Sequence, residues 1–314
     1  MDSLFDNIIN GCFDETLISE ELVKMYQRGI SCDELEAAIR TLRKYTIRFE
    51  HKKAFCFDTC GTGGDGKSTV NVSSAVSIIL SSLGIPVVKH GNVSQSGIMG
   101  SANILMDIGI PVNLNYTDAC RYFHENDFIF LFAPIYQPAM KKVASVRAKI
   151  KGPTIFNYVG PLLNPANPEY QIIGINRCDL LYAYASAAER LNTQNAIIYS
   201  SLDGFDEVSS EASTICCIIK DSCKKFFIIE PHTFFNSFPM PVVKDRQNAV
   251  DLFMSGLSGK DENLTNLFSI NAALGLHLLY GMDLNGAFCK IKEHLKGGAV
   301  LSKLANLKKG ITYA

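Results

Sequence analysis

The string GTGGDGKST (61–69) has the residue types and spacing to hold a phosphate. Its glycines let the backbone turn tightly and approach a ligand closely. A short apolar run precedes it and a helical pattern follows, so amide N–H groups at the helix start would face an anion, assisted by the helix dipole. Two general patterns fit. Gly61-x-x-x-x-Gly66-Lys67-Ser68 matches the nucleoside triphosphatase P-loop, and Gly61-x-Gly63-x-x-Gly66 matches the dinucleotide fingerprint. A P-loop enzyme also needs an apolar strand ending in a magnesium-binding Asp, whereas the run 128–132 ends in Ala133-Pro134. A dinucleotide site wants an acidic residue about 20 positions on, where Val88, Lys89 and His90 stand. Asp65 suits a ligand bearing hydroxyls, or a bound metal, better than a bare phosphate. Asp206 and Glu207 are adjacent carboxylates, which repel unless a cation or proton lies between them; by themselves they read as solvated loop. Arg147, between Val146 and Ala148, reads by itself as an exposed helix position.

The elements that must position these residues are legible in outline. Residues 1–48 read as helices only. Ser31 and Glu34 form a capping box, Leu35, Ile39 and Leu42 recur at helical spacing, and Gly29 separates this helix from an earlier one at 20–27. From Phe55 the texture changes. Runs at 55–57, 87–89, 128–132, 171–175, 196–199, 214–219 and 226–229 read as strands. Stretches 73–83, 101–107, 139–150, 180–190, 264–280 and 286–295 read as helices. The alternation predicts an α/β fold: a large domain with a mainly parallel central sheet flanked by helices, plus a small all-helical domain. Pro153, Pro161, Pro165 and Pro168 leave room in 152–170 for one short helical turn at 155–159.

Composition narrows the class. The chain has 314 residues, 47% of them hydrophobic, enough for two domains or one large domain with an appendage. A formal net charge of -1 gives no global field for nucleic acid or an anionic membrane, so anion binding must be local. The ten cysteines lack the spacing of a disulfide framework and read as free, buried thiols of a reducing cytosol. Cys60, beside the glycine loop, is the one that could be reactive. MDSLFDNIIN is acidic where a secretory signal would be basic. The longest apolar stretch, 72–86, is broken by five serines and a glycine, which excludes a membrane span there. A cytoplasmic protein is expected.

GTGGDG, NVSSA (71–75), KHGN (89–92), GSANILMDIG (100–109), FNYVGPLLNP (156–165), DGFDEVS (203–209), INAAL (270–274) and GGAVLSKL (297–304) stand in this order. Together they resemble the anthranilate phosphoribosyltransferases, across nearly the whole chain from Glu20. The resemblance implies transfer of a phosphoribosyl group from phosphoribosyl pyrophosphate to anthranilate. It implies phosphoribosyl pyrophosphate binding by Gly61, Gly64, Asp65, Thr69, Asn71, Ser73, Ser74, Lys89, Asn92 and Ser101. Anthranilate would meet Gly61, His90, Asn92, Arg147, Gly160 and Pro161, with Arg147 on its carboxylate. Two Mg²⁺ ions would be held by Ser73, Asp206 and Glu207, with Asp203 as a helper; no residue is implied as acid or base. A homodimer is implied. So is a small domain of residues 1–50, with 136–165 packed on it and 51–314 forming the large domain.

The chain departs from that pattern at five places. Val93 and Ile98 replace the usual Arg and Lys, a loss of two cations expected to weaken anion binding. Asn103 replaces Asp, Gln137 replaces His, and Pro153 replaces Arg. Other readings are a related transferase or phosphorylase with another acceptor, a nucleic-acid-binding relative, and a P-loop ATPase.

Overall fold

The computed structural model of the protein describes residues 2–12, 14–64, 66–94, 97–142, 144, 147, 150, 152–221 and 223–310. Asp65, Val146 and Ala148 lie outside the described residues. Seven strands form one sheet: β1 Phe57–Gly61, β2 Val87–Gly91, β3 Phe128–Phe132, β4 Tyr170–Gly174, β5 Asn195–Ser201, β6 Thr214–Lys220 and β7 Cys223–Ile229. Their order is β3-β2-β1-β4-β5-β6-β7. The first five strands run parallel, and β6 and β7 add antiparallel. Parallel strands are covered on both faces. Accordingly Ile172, Ile197 and Cys216 join one buried cluster while Ile173, Ile198 and Cys217 join another.

On the first face lie the helices Val72–Ser82 and Glu262–Tyr280, which pack together. Gly275 permits that approach, because a Cβ there would overlap the Leu80 side chain. On the second face lie Leu181–Arg190 and the N-terminal helices Asp2–Asn10, Glu15–Gln27 and Cys32–Lys44. Phe5, Leu22 and Ile39 share their cluster with Ile155, Phe156 and Leu162. Arg43, whose guanidinium burial pushes down, ties that region together by donating to the carbonyls of Leu162 (3.1 Å) and Leu191 (3.1 Å).

The capping box forms as the sequence predicts: Ser31 Oγ accepts from Glu34 N at 3.3 Å, and Glu34 Oε2 from Ser31 N at 3.0 Å. Burial pushes the Glu34 carboxyl up, but the Arg28 guanidinium and the Ser31 donors outweigh it and hold the group below its ordinary value. That contribution is complete above the ordinary carboxylate range and is lost as pH falls through the lowered value. Ser31→Ala should cost about 1 kcal/mol, read as a drop of about 2 °C in thermal midpoint by circular dichroism.

Some boundaries differ from expectation. The first strand is Phe57–Gly61, not 55–57. Register with β4, Phe57 opposite Tyr170 through Gly61 opposite Gly174, draws the polar Asp58 into the sheet despite its low strand propensity. The proline-rich stretch makes two 3-10 turns, Ile155–Asn157 and Gly160–Leu163, since Pro161 sits in the opening turn where a missing N–H costs nothing. Of 139–150, the described helix is Ala139–Lys142. Tyr116–Asn126 and Arg246–Leu257, which periodicity alone did not reveal, start at the side-chain caps Asn115 and Asp245.

Candidate active site

The chain leaves β1 toward β2 and β3 on one side and returns to β4 and β5 on the other. Ligands of open parallel sheets bind outside the carboxyl ends of the strands at such a reversal. The glycine loop starts there, at the end of β1. Gly63, Gly64 and Gly66 have φ of 58°, 69° and 73°, a region costly for other residues.

The 201–207 loop closes over it from β5. Asp206 Oδ2 accepts from Gly63 N at 2.7 Å, and Glu207 Oε1 lies 3.5 Å from Thr69 Oγ1. Two glycines make room for this approach: a Cβ on Gly61 would overlap the Asp206 carboxylate, and one on Gly174 the Asp206 carbonyl. Asp203 Oδ2 accepts from Ser209 Oγ at 2.6 Å, while its Oδ1 is buried without a hydrogen bond. Gly61→Ala should therefore displace Asp206 and cut kcat/KM by about a hundredfold, in steady-state assays, with a much smaller change in thermal midpoint.

The helix Val72–Ser82 begins at Asn71 with no side-chain cap on its N–H groups. Asn71 Nδ2 donates instead to Met99 O at 3.2 Å; its Oδ1, like Ser74 Oγ, is buried without a hydrogen bond. Lys89 lies behind this turn, 1% exposed, donating to Thr59 O at 2.5 Å and Ser73 Oγ at 3.1 Å. Burial pushes its ammonium down, opposed chiefly by Asp58. Its charge would act on a bound anion from behind the Ser73 hydroxyl, in a region where solvent screens little.

The loop after β2 holds the next group. Ser101 Oγ donates to Asn92 O at 3.3 Å, and Asn92 Oδ1 accepts from Val93 N at 2.8 Å. Asn103 does here what a carboxylate would do, its Oδ1 accepting from Ser94 N (3.0 Å) and Gly100 N (3.1 Å). Val93 and Ile98 are exposed on this loop.

At the end of β2, His90 Nε2 meets Gly160 O at 2.8 Å and Nδ1 faces Asp58 Oδ2 at 2.9 Å. Nδ1 makes no hydrogen bond at that distance, so Nε2 alone ties the ring to the 160–161 turn. Pro161 O accepts from Gln171 Nε2 at 3.2 Å and from Cys60 Sγ at 3.8 Å. Burial pushes the Cys60 thiol well above its ordinary value, so it stays protonated, in line with the reading of buried free thiols, whereas Cys12, Cys223 and Cys289 are exposed. Arg147 is half-buried; burial alone pushes its guanidinium down, and no carboxylate pairs with it among the described residues. Gln137 joins Leu163 O (2.6 Å) to Thr46 Oγ1 (3.0 Å), bracing the same loop. Pro153 lines a cavity of about 220 Å³ with Gly64, Asn157 and Arg177.

The fold thus joins Gly61 and Thr69 to Asp206 and Glu207, Ser73 to Lys89, Asn92 to Ser101, and His90 to Gly160. No distance places Arg147 against Gly160 among the described residues. Lys67 donates to Asp203 O and stands 3.8 Å over the Phe205 ring. Asp58 and Gln171 were missed. The signal for the first was a charge inside the apolar run FCFDTC.

Residues 53–301 match the family described as glycosyl transferase family, a/b domain. The chain is 36% identical over 312 residues to an anthranilate phosphoribosyltransferase of Methanococcus aeolicus, covering 98% of this chain and 94% of the relative. It is 35% identical to that of Pelagibacter ubique, covering 97% and 93%. Among solved structures, the anthranilate phosphoribosyltransferase of Thermus thermophilus superposes with a TM-score of 0.89 at 24% identity, covering 99% of this chain and 94% of that one. The Saccharomyces cerevisiae enzyme in complex with PRPP and Mg gives 0.86 at 23%, covering 98% and 90%. These two likenesses speak for the fold.

Proposed function

The chain belongs to the anthranilate phosphoribosyltransferases, and on that footing we propose that it transfers the 5-phosphoribosyl group of phosphoribosyl pyrophosphate to the amine of anthranilate. Diphosphate is released, and the step belongs to tryptophan biosynthesis. The observation that carries this reading is the convergence of the glycine loop with Asp206 and Glu207 at the ends of β1 and β4.

The roles follow from charge. The uncapped amides at the start of Val72–Ser82, with Asn71, Ser73, Ser74 and Thr69, hold the diphosphate. Lys89 biases Ser73 from behind. Arg147 takes the carboxylate of anthranilate through a planar, two-pronged pair. An aniline nitrogen is neutral near pH 7 and already nucleophilic, so orientation over the ribose C1 does most of what remains. No acid–base residue is assigned.

Magnesium fits the residues present. Asp206, Glu207 and the Ser73 hydroxyl are hard oxygen donors of the kind Mg²⁺ prefers, and Gly61 leaves the Asp206 carboxylate space at the loop. We assign two ions to this set; when bound, they supply neutralisation of the charge on the departing diphosphate. Asp65 and Asn92 complete the proposed diphosphate shell, with Ser101 beside it. Residues 1–50 with 136–165 form the proposed small domain, and a cytoplasmic homodimer the proposed assembly. No helix among the described residues is long and apolar enough to cross a membrane.

The test is diphosphate release that requires both anthranilate and Mg²⁺. Release only with a different aromatic amine or a pyrimidine would replace the acceptor. No heat on titrating phosphoribosyl pyrophosphate with Mg²⁺ would remove the donor as well.

A further inference from the structure

Asp58 and Gln171 have no part in the chemistry above, yet both are buried polar groups at the centre of the sheet, 0% and 4% exposed. They stand opposite each other on β1 and β4. Asp58 Oδ2 accepts from Gln171 Nε2 at 3.2 Å and lies 2.9 Å from His90 Nδ1. Each partner continues to the same short turn. His90 Nε2 reaches Gly160 O at 2.8 Å, and Gln171 Nε2 reaches Pro161 O at 3.2 Å. Three strands thus send polar groups through one carboxylate to two consecutive carbonyls.

The hydrogen positions follow from the acceptors. A backbone carbonyl only accepts, so His90 Nε2 carries a proton. Nδ1 lies 2.9 Å from the Asp58 carboxylate, a close polar contact without hydrogen-bond alignment. A buried carboxylate costs several kcal/mol unless it is well partnered, and apolar replacements often stabilise a core as well or better. Stability alone therefore does not account for Asp58. What it fixes is the orientation of the Gly160 and Pro161 carbonyls.

We propose that Asp58 is a positioning residue for the acceptor, acting through His90 and Gln171 to set the Gly160–Pro161 wall against which the aromatic amine lies. This rests on the reading of that wall as the acceptor site. An amide at position 58 cannot do the same work. If its oxygen faces His90 and Gln171, the negative charge that stands 2.9 Å from the His90 ring is gone, and with it the field that orients the ring toward Gly160 O. If its NH₂ faces them, it opposes the Gln171 NH₂. Either way one of the two carbonyl ties is lost.

The experiment is steady-state kinetics on full-length Asp58→Asn, Gln171→Met and, as a control, Arg147→Ala, each with both substrates varied. The expected result is a rise of about tenfold in the KM for anthranilate for the first two, the scale of one lost hydrogen bond. The KM for phosphoribosyl pyrophosphate should stay within about twofold, a split that general loosening of the core would not produce. An unchanged anthranilate KM, or equal rises in both KM values, would overturn the proposal, provided Arg147→Ala raises the anthranilate KM. If Arg147→Ala leaves it unchanged too, the acceptor-site reading has failed and takes this inference with it. Should Asp58→Asn not fold, the same ratio measured on Gln171→Met decides.

Discussion

Asp206→Asn should lower kcat about a thousandfold at saturating substrates, with the thermal midpoint little changed. The two side chains have the same shape, and an asparagine Oδ1 can still accept the Gly63 N–H now held at 2.7 Å. The glycine loop should therefore keep its course, and only the negative charge is removed. Loss of one preorganised electrostatic partner of a developing charge costs about a hundred- to a thousandfold in rate. The upper end applies here because Asp206 is only 9% exposed, so water replaces little of what is lost. A magnesium titration separates causes. The metal reading predicts a higher Mg²⁺ requirement in the variant; an unchanged requirement with reduced kcat would leave Asp206 as a brace for the loop and nothing more.

Arg147→Ala should raise the KM for anthranilate about a hundredfold, while phosphoribosyl pyrophosphate still binds with near-native heat. Truncating one member of a buried, hydrogen-bonded charge pair costs about 3 kcal/mol, or a little over two decades in affinity. The free protein should tolerate the change well. Burial already disfavours the Arg147 charge, and no carboxylate pairs with it among the described residues. Removing the guanidinium thus abolishes a desolvated cation that waits for a partner, and a neutral or raised thermal midpoint is the expected companion result. Lys in its place should recover part of the loss, since an ammonium supplies charge without the planar fork. Calorimetry with each substrate separately checks both halves of the expectation.

The substitutions at the family-pattern positions are unequal in their consequences. Asn103 supplies the same two backbone bonds through its amide oxygen, and Gln137 bridges Thr46 and Leu163. Both are therefore absorbed by the fold. Val93 and Ile98 are exposed on the loop after β2, where no described contact restores the missing cations. The structure does not explain their presence.

The amino-acid sequence by itself determined the parts of this protein whose causes are local. The glycine loop, the Ser31 cap with Glu34, the β-branched runs and the alternation of strand and helix each depend on residues a few positions apart, within reach of backbone sterics and short hydrogen bonds. The order of short motifs pointed to the family and, through it, to most of the candidate site. Tertiary structure alone decided which buried polar groups meet. Asp206 lies 143 positions from Gly63, yet strand order brings them to 2.7 Å, and bare Cα atoms at 61 and 174 let them do so. Lys89, which the family resemblance assigns to the diphosphate, is a buried cation behind Ser73, a burial that the sequence does not show. Asp58, an odd charge in an apolar strand, became the joint between His90, Gln171 and the 160–161 turn. The cost of burying a charge depends on the partners it finds, and here those partners come from strands distant along the chain.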